Sequence, residues 1–331
     1  MRGVETRAFT ADDLPAAAEL LAARHRRHRA AEPLLGGDFE DPAVALEHLR
    51  QQWEDNNLSG SAALADGRLV GYLLAAEKAR TTWGDNAWVE SGGHALAGNC
   101  PAEVARELYA HAAARWVDHG LTAHYVLVPA NDEALADAWW RLGFGLQHEH
   151  AVREPLTGPP TEPPAGVRVR RANSGDVPAL AELDLMLPSH QSKAPVFSSG
   201  PVSTYDEAAA DWEQQFRAEE RGDRTYATFV AEQDGEVLGS AVGSPLTVSS
   251  SHTGPARPPG AGFLGWEVVR PDARGGGVGR ALGEAVLAWS AGEGHPAVVI
   301  DWRATNLQSS RAWPRLGFRP TFWRLHRQVG H

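Results

Sequence analysis

The residues with the most specific chemistry lie in the run Val268-Val-Arg-Pro-Asp-Ala-Arg-Gly-Gly-Gly-Val-Gly-Arg-Ala-Leu282. A predicted strand, Phe263 to Val269, runs into an arginine, three consecutive glycines and the start of a helix. Such a turn turns several backbone N–H groups into one concavity at the positive end of a helix dipole. Glycine lets the backbone approach a ligand closely. The natural occupant is a phosphate or diphosphate, with Arg274 and Arg280 as cationic partners. Two common phosphate loops are excluded. A P-loop needs Gly-Lys-Ser/Thr, whereas Gly279 is followed by Arg280-Ala281. The dinucleotide pattern G-x-G-x-x-G fails because Gly277-x-Gly279 is followed three residues later by Leu282.

Downstream stands Asn306-Leu-Gln-Ser309-Ser-Arg-Ala-Trp313-Pro-Arg-Leu-Gly317-Phe318. Taken with Arg274-x-x-Gly277-x-Gly279, it resembles the two signatures of the GCN5-related N-acetyltransferase (GNAT) superfamily. The resemblance covers Val167 to His331 and extends more weakly over residues 5–150. It implies acetyl-CoA as co-substrate, with its diphosphate on Arg274, Gly275, Gly276, Gly277, Val278, Gly279 and Arg280. The pantetheine arm would lie between two splayed strands, bonded by backbone groups near Val268 and Val269 and contacted by Asn306, Ser309 and Trp313. Direct attack of an amine on the thioester needs a base, an oxyanion donor and a proton for the thiolate. Glu267, a charged residue in an apolar strand, is the first candidate base. It also reads as a carboxylate paired with an arginine or facing water. Asp301, ending the next strand, comes second, and His190, after the first helix of this half, third. The superfamily often has a tyrosine where this chain has Trp313, and indole cannot supply the thiolate's proton.

The elements that must position these residues occur twice. Asp13-Leu-Pro-Ala-Ala-Ala-Glu-Leu20 matches Asp176-Val-Pro-Ala-Leu-Ala-Glu-Leu183. Asp66-Gly-Arg-Leu-Val-Gly71 matches Asp234-Gly-Glu-Val-Leu-Gly239, and Ala138-Trp-Trp-Arg-Leu-Gly-Phe144 matches Ala312-Trp-Pro-Arg-Leu-Gly-Phe318. Three matches in the same order identify an internal duplication. Between the copies, Pro155 to Gly166 carries five prolines in twelve residues, which predicts an extended, semi-rigid linker. The expected organisation is α/β, with two tandem GNAT-like domains. Each is a mixed, mostly antiparallel twisted sheet with splayed central strands flanked by helices. The expected bounds are 1–152 for a degenerate copy, 153–166 for the linker and 167–331 for the acetyltransferase domain, the two domains packing on each other. In the first copy Cys100, Glu103 and Ala105 stand opposite Arg274, Gly277 and Gly279, and Asp132 stands opposite Asn306. A carboxylate at the diphosphate position would repel the ligand, so this copy is expected not to bind CoA in the usual way.

Composition narrows the rest. The formal charge of −11 argues against nucleic-acid binding. It is uneven: residues 1–155 hold 14 Lys+Arg against 23 Asp+Glu, and the remainder 17 against 19. No apolar run approaches the ~20 residues of a membrane helix. The N-terminus lacks a signal peptide's apolar stretch, and the expected location is cytoplasmic. A single cysteine, Cys100, precludes an internal disulfide and a cysteine-based zinc site. His148, His150, His326 and His331 lack metal-ligand spacing, so no metal is expected. The run Arg24-His-Arg-Arg-His-Arg29 reads as a solvated helix face, and the twelve tryptophans as core packing. The expected activity is acetyl transfer from acetyl-CoA to a primary amine of a small molecule. A non-catalytic acyl-CoA-binding protein and a protein N-acetyltransferase are the alternatives. Acceptor contacts are expected from the loops 187–199 and 248–262.

Overall fold

The structure, a computed structural model, describes every residue except 1–3, 56, 82, 199–201 and 330–331, so His331 lies outside the described residues. The chain forms two compact units. Unit 1 comprises Met1–His150, His252–Pro258 and Pro320–His331; unit 2 comprises Ala151–Ser251 and Pro259–Arg319.

Unit 1 holds β1 (Glu5–Ala8), α1 (Leu14–Ala31), α2 (Pro42–Asp55), β2 (Leu58–Ala65), β3 (Arg68–Thr81), β4 (Gly84–Val89), β5 (His94–Leu96), α3 (Val104–Asp118), β6 (Ala123–Pro129) and α4 (Glu133–Trp140). The strand β7 (Gly145–Arg153) follows, its last three residues counting with unit 2. Unit 2 holds β8 (Arg168–Arg171), α5 (Val177–Gln191), α6 (Tyr205–Glu220), β9 (Ala227–Gln233), β10 (Glu236–Pro245), β11 (Gly262–Val269), α7 (Val278–Gly292), β12 (Val298–Arg303) and α8 (Leu307–Arg315). The last strand, β13 (Arg319–Gln328), pairs antiparallel with β6 from Phe322↔Pro129 to Gln328↔Ala123 and belongs to unit 1 but for its first residue. Ala151, at the end of β7, is fully buried in the unit 2 core. The compact units therefore do not break at one point along the chain.

Local chemistry explains why the same elements form twice. Each first hairpin turns on Asp-Gly, with Asp66 and Gly67 at φ 50° and 75° and Asp234 and Gly235 at φ 52° and 84°. Two consecutive left-handed residues make the tight turn whose twist matches paired strands. Each first helix starts at Asp-x-Pro, and proline suits that turn because its missing N–H has no helical partner. The aspartate there serves a second purpose. Arg7 grips Asp13 with two bonds of 2.7 and 2.6 Å, and Arg170 grips Asp176 with two of 2.8 Å. Arg170 also donates to Glu232 at 2.7 Å, tying β8, β9 and the start of α5 together. Burial alone would raise the Asp176 carboxyl; the bonds from Arg170 and from the Asn173 N–H outweigh it and hold the group below its ordinary value. Asp176→Ala leaves Arg170 without its fork in a mostly buried setting and is expected to cost about 3 kcal/mol, read as a lower urea midpoint at pH 7. A change below about 0.5 kcal/mol would show that the fork is idle.

The unit 2 core lies between the sheet and α7, where Val278, Leu282, Val286 and Leu287 meet Leu264, Val298 and Ile300. Trp212 and Phe216 of α6 cover the opposite face with Val177 and Leu180 of α5. The proline-rich segment, expected as a semi-rigid linker, lies on unit 2: Leu156 packs on the unit 2 core, and Thr161 hydrogen-bonds Glu284 of α7. The basic run on α1 also departs from expectation. Arg24, His25 and His28 are buried, because i, i+1 and i+4 share the face that α1 turns inward.

Candidate active site

In unit 2, β11 and β12 run parallel but pair only at Gly262↔Val298 and Phe263↔Val299. Beyond Phe263 they part. A β-bulge in the β10–β11 ladder, between Val242 and Gly243, opposes Leu264 and Trp266 and skips Gly265. An extra residue bends a strand and raises its local twist, turning β11 away from its neighbour. The parted segment, 264–269, keeps backbone donors and acceptors on its β12 side without strand partners, and such groups need partners when buried.

A cavity of ≈380 Å³ opens at this gap. Glu267, Val268 and Val269 line it from β11, Arg274, Gly275 and Gly279 from the glycine turn, and Asn306, Ser309 and Trp313 from β12's exit and α8. These nine residues, scattered over 47 positions of sequence, were all expected at the site. Gly275 and Gly277 have φ of 82° and 97°, a backbone state that disfavours other residues, and Gly277 caps α7. The first turn of a helix leaves its N–H groups without intrahelical acceptors. Nothing lies within 4 Å of where a Cβ would stand at Gly275 or Gly276, so the turn is open. Arg274 donates from Nε to the Val269 carbonyl at 2.9 Å, which holds its guanidinium across the turn.

Other expected contacts are placed differently. Val278 is buried in the core, and Gly276 and Gly277 stand at the turn without lining the cavity. Arg280 is engaged by Glu284 at 2.7 Å and by the Thr161 hydroxyl at 2.9 Å. Burial would raise the Glu284 carboxyl, yet Arg280 and the Thr161 N–H and hydroxyl hold it below its ordinary value. Asp301 does not line the cavity, and His252–Pro258, from the loop expected to touch the acceptor, packs in unit 1.

Glu267 is the unusual group. It keeps a strip of surface at the cavity, while Oε2 is sealed from solvent and receives no hydrogen bond. It lies against the first turn of α7, where a Cβ at Gly279 would stand 2.9 Å from Oε1 and one at Gly283 3.4 Å from Oε2. Burial raises this carboxyl well above the ordinary range, because desolvation penalises the charged form. The expected arginine partner is absent among the described residues, while part of the residue does face the cavity. Trp313 is 8% exposed and meets Phe318 edge to face at 6.1 Å, so its indole serves the core as well as the cavity wall.

Asn306 caps α8, its Oδ1 accepting the Gln308 N–H at 3.2 Å. The same oxygen lies 3.3 Å from Nε2 of His190, which lines the cavity with Met186 and Leu187 of α5. Arg311 and Arg315 also face the cavity from α8 and carry no hydrogen bond or ion pair among the described residues. Their signal in sequence was the spacing of 308, 311, 312 and 315, one helix face.

The corresponding region of unit 1 also holds a cavity, of ≈490 Å³, lined by Cys100 and Asp132 and by Arg24 and Arg27 of α1. There the strand is broken into β4 and β5, and buried Arg24 donates to the carbonyls of Ser91 and His94. Arg27 reaches the Leu96 carbonyl at 3.3 Å, and His94 Nε2 the Leu127 carbonyl at 2.9 Å. Among the described residues no group of three or more His, Cys, Asp or Glu could hold a metal ion, and no helix is long and apolar enough to cross a membrane.

Comparison with known proteins agrees with this geometry. Residues 192–318 match the model of the Acetyltransferase (GNAT) family. No curated protein matches the chain. The fold resembles that of a GCN5-related N-acetyltransferase from Sphaerobacter thermophilus, at 17% identity and a TM-score of 0.58, over 99% of this chain and 96% of that one. It also resembles a tandem GNAT protein from the clavulanic acid biosynthesis pathway, at 20% identity and a TM-score of 0.52, over 99% of both chains. Residues 192–318 thus match the acetyltransferase (GNAT) family, within a chain whose fold resembles that of a tandem GNAT protein along its whole length.

Proposed function

We propose that unit 2 transfers an acetyl group from acetyl-CoA to a primary amine of a small molecule. The observation that carries this reading is the parting of β11 and β12 directly beside the open glycine turn. An extended ligand arm with alternating donors and acceptors satisfies the backbone of a parted strand as a neighbouring strand would. A diphosphate at its end meets the N–H groups of Gly275 to Gly279 and the Arg274 guanidinium. Val268 and Val269 then bond the arm, and Asn306, Ser309 and Trp313 close its other side. Arg280, which also bonds Glu284 and Thr161, stands in the first turn of α7 next to this diphosphate position. Unit 1 is not expected to take such an arm in the usual way: arginines from α1 engage the carbonyls of Ser91, His94 and Leu96, and its cavity of ≈490 Å³ has no glycine turn.

Thiol release from acetyl-CoA, followed with a panel of small primary amines, tests the reading. Release above the no-amine rate with at least one amine is expected. Tight binding of acetyl-CoA with no amine-dependent release would favour a non-catalytic acyl-CoA-binding protein, and release only with peptide amines would move the acceptor to proteins.

A further inference from the structure

Resting on that reading, we propose that His190 is the base that takes the amine proton, held in the required tautomer by Asn306, and that Glu267 is the acid that protonates the departing thiolate. This reverses the role its sequence context suggests for Glu267.

The tautomer follows from hydrogen-bond bookkeeping. Asn306 Oδ1 accepts the Gln308 backbone N–H, so that atom is the amide oxygen and not its nitrogen. An oxygen can only accept, so His190 Nε2, 3.3 Å away, carries the proton and donates it. The lone pair is left on Nδ1, which has no partner among the described residues. An imidazole oriented through one nitrogen and basic at the other is the arrangement of a general base. Asn306 is in turn fixed as the cap of α8.

Glu267 has the opposite character. Among the described residues no donor reaches the sealed Oε2, and Gly279 and Gly283 leave just the room its carboxyl fills. The space beside Gly283 is shared by Oε2 and the Trp313 ring, 3.7 Å from where a Cβ would stand, so an apolar wall backs the acid. A carboxyl in such a place holds its proton more firmly than an ordinary carboxylate, which suits it to the acid role. Trp313, which cannot donate to sulfur, adds to the apolar surroundings of that carboxyl. The other charged groups around the cavity are Arg274 from the turn and Arg311 and Arg315 from α8. On α5 itself the nearest carboxyl towards its start is Asp184, which faces Asp211 of α6. Lys193 follows the helix.

The step balances as follows. The amine nitrogen forms its bond to the acetyl carbon and loses a proton to His190 Nδ1. The carbon–sulfur bond breaks, and the sulfur takes the Glu267 proton. Imidazolium and carboxylate then return to their starting forms by exchange with solvent.

Two variants and two thioesters test the assignment, with the fastest amine of the panel. His190→Gln is expected to lose about 100-fold or more in kcat with both acetyl-CoA and S-(4-nitrophenyl) thioacetate, while acetyl-CoA affinity stays within threefold. Glu267→Gln is expected to lose about 10-fold or more with acetyl-CoA but less than threefold with the aryl thioester, whose thiolate leaves without a proton. Asn306→Asp keeps the cap and places a carboxylate against the imidazole. It should move the acidic limb of the pH–rate profile up by about one unit or more. Wild-type-like rates in His190→Gln, or failure of the aryl thioester to rescue Glu267→Gln, overturn the assignment alone. Wild-type protein whose thiol release stays at the no-amine rate with every amine of the panel overturns the transferase reading and this assignment with it.

Discussion

Gly277→Glu is expected to weaken acetyl-CoA binding by at least about 100-fold and to leave the protein folded. The substitution imports the residue that stands opposite in the first copy, Glu103. Gly277 caps α7 with φ 97°, and a Cβ there meets only Pro164 at 3.4 Å, so the side chain projects into the open turn. A left-handed backbone costs a residue with a Cβ about 1–2 kcal/mol, well within the margin of an ordinary domain. Against a bound diphosphate the new carboxylate is a like charge. At about 5 Å and an effective dielectric of about 20, each unit of charge costs about 3 kcal/mol, or roughly a hundredfold in affinity. Isothermal titration at fixed salt reads the loss, and far-UV circular dichroism checks the fold. Gly277→Ala separates the two terms, because it carries the strain without the charge and should lose far less.

The second large effect is an acid limit on unit 1. Burial lowers His28 to about 3, His48 to about 4 and His94 to about 3, with Arg24 adding to the effect at His28 and His94. His150, fully enclosed against His252 at 4.6 Å between ring centroids, is held well below the ordinary range by the same cause. An imidazole whose folded pKa lies below its unfolded value binds its proton more readily in the unfolded chain. The stability it contributes is present above about pH 6.5 and is lost as pH falls towards the folded value. Each such group costs about 1.4 kcal/mol per pH unit in that window, so His28, His48 and His94 together cost about 4. A stability of about 5–15 kcal/mol is consumed within about one to four units. Unit 1 should lose its near-ultraviolet dichroism near pH 4–5, and its urea midpoint should fall steeply from pH 7 to pH 5. His28→Leu should flatten that slope by about one proton. A midpoint independent of pH over this range would contradict the burial of these rings.

Signals confined to short stretches were legible in the sequence. The Asp-Gly turns need two consecutive left-handed residues, Asp-x-Pro starts a helix, and Arg274-x-x-Gly277-x-Gly279 is one loop, so each is decided by neighbours along the chain. Asn306 followed by α8 belongs to the same class, and the cavity brings it to the glycine turn as expected. What sequence could not place depends on partners far away. That β13 pairs with β6 is decided by a ladder nearly two hundred residues apart. Arg24 reads as one more solvated cation until β4 and β5 surround it. The duplication also hides pairs: Arg7–Asp13 and Arg170–Asp176 share the offset of 163 found for the first helices, yet an arginine six residues before an aspartate signals nothing until a strand and a helix fold back together. Glu267 stood out as a charge in an apolar strand, but whether a donor awaited it could be read only from its surroundings.

The most direct test of the account is where acetyl-CoA binds in a crystal of the intact chain. One molecule is expected in unit 2, its diphosphate on the amides of Gly275 to Gly279 and its arm between β11 and β12. Density for the nucleotide in unit 1 alone, or in neither unit at saturating concentration, would contradict it.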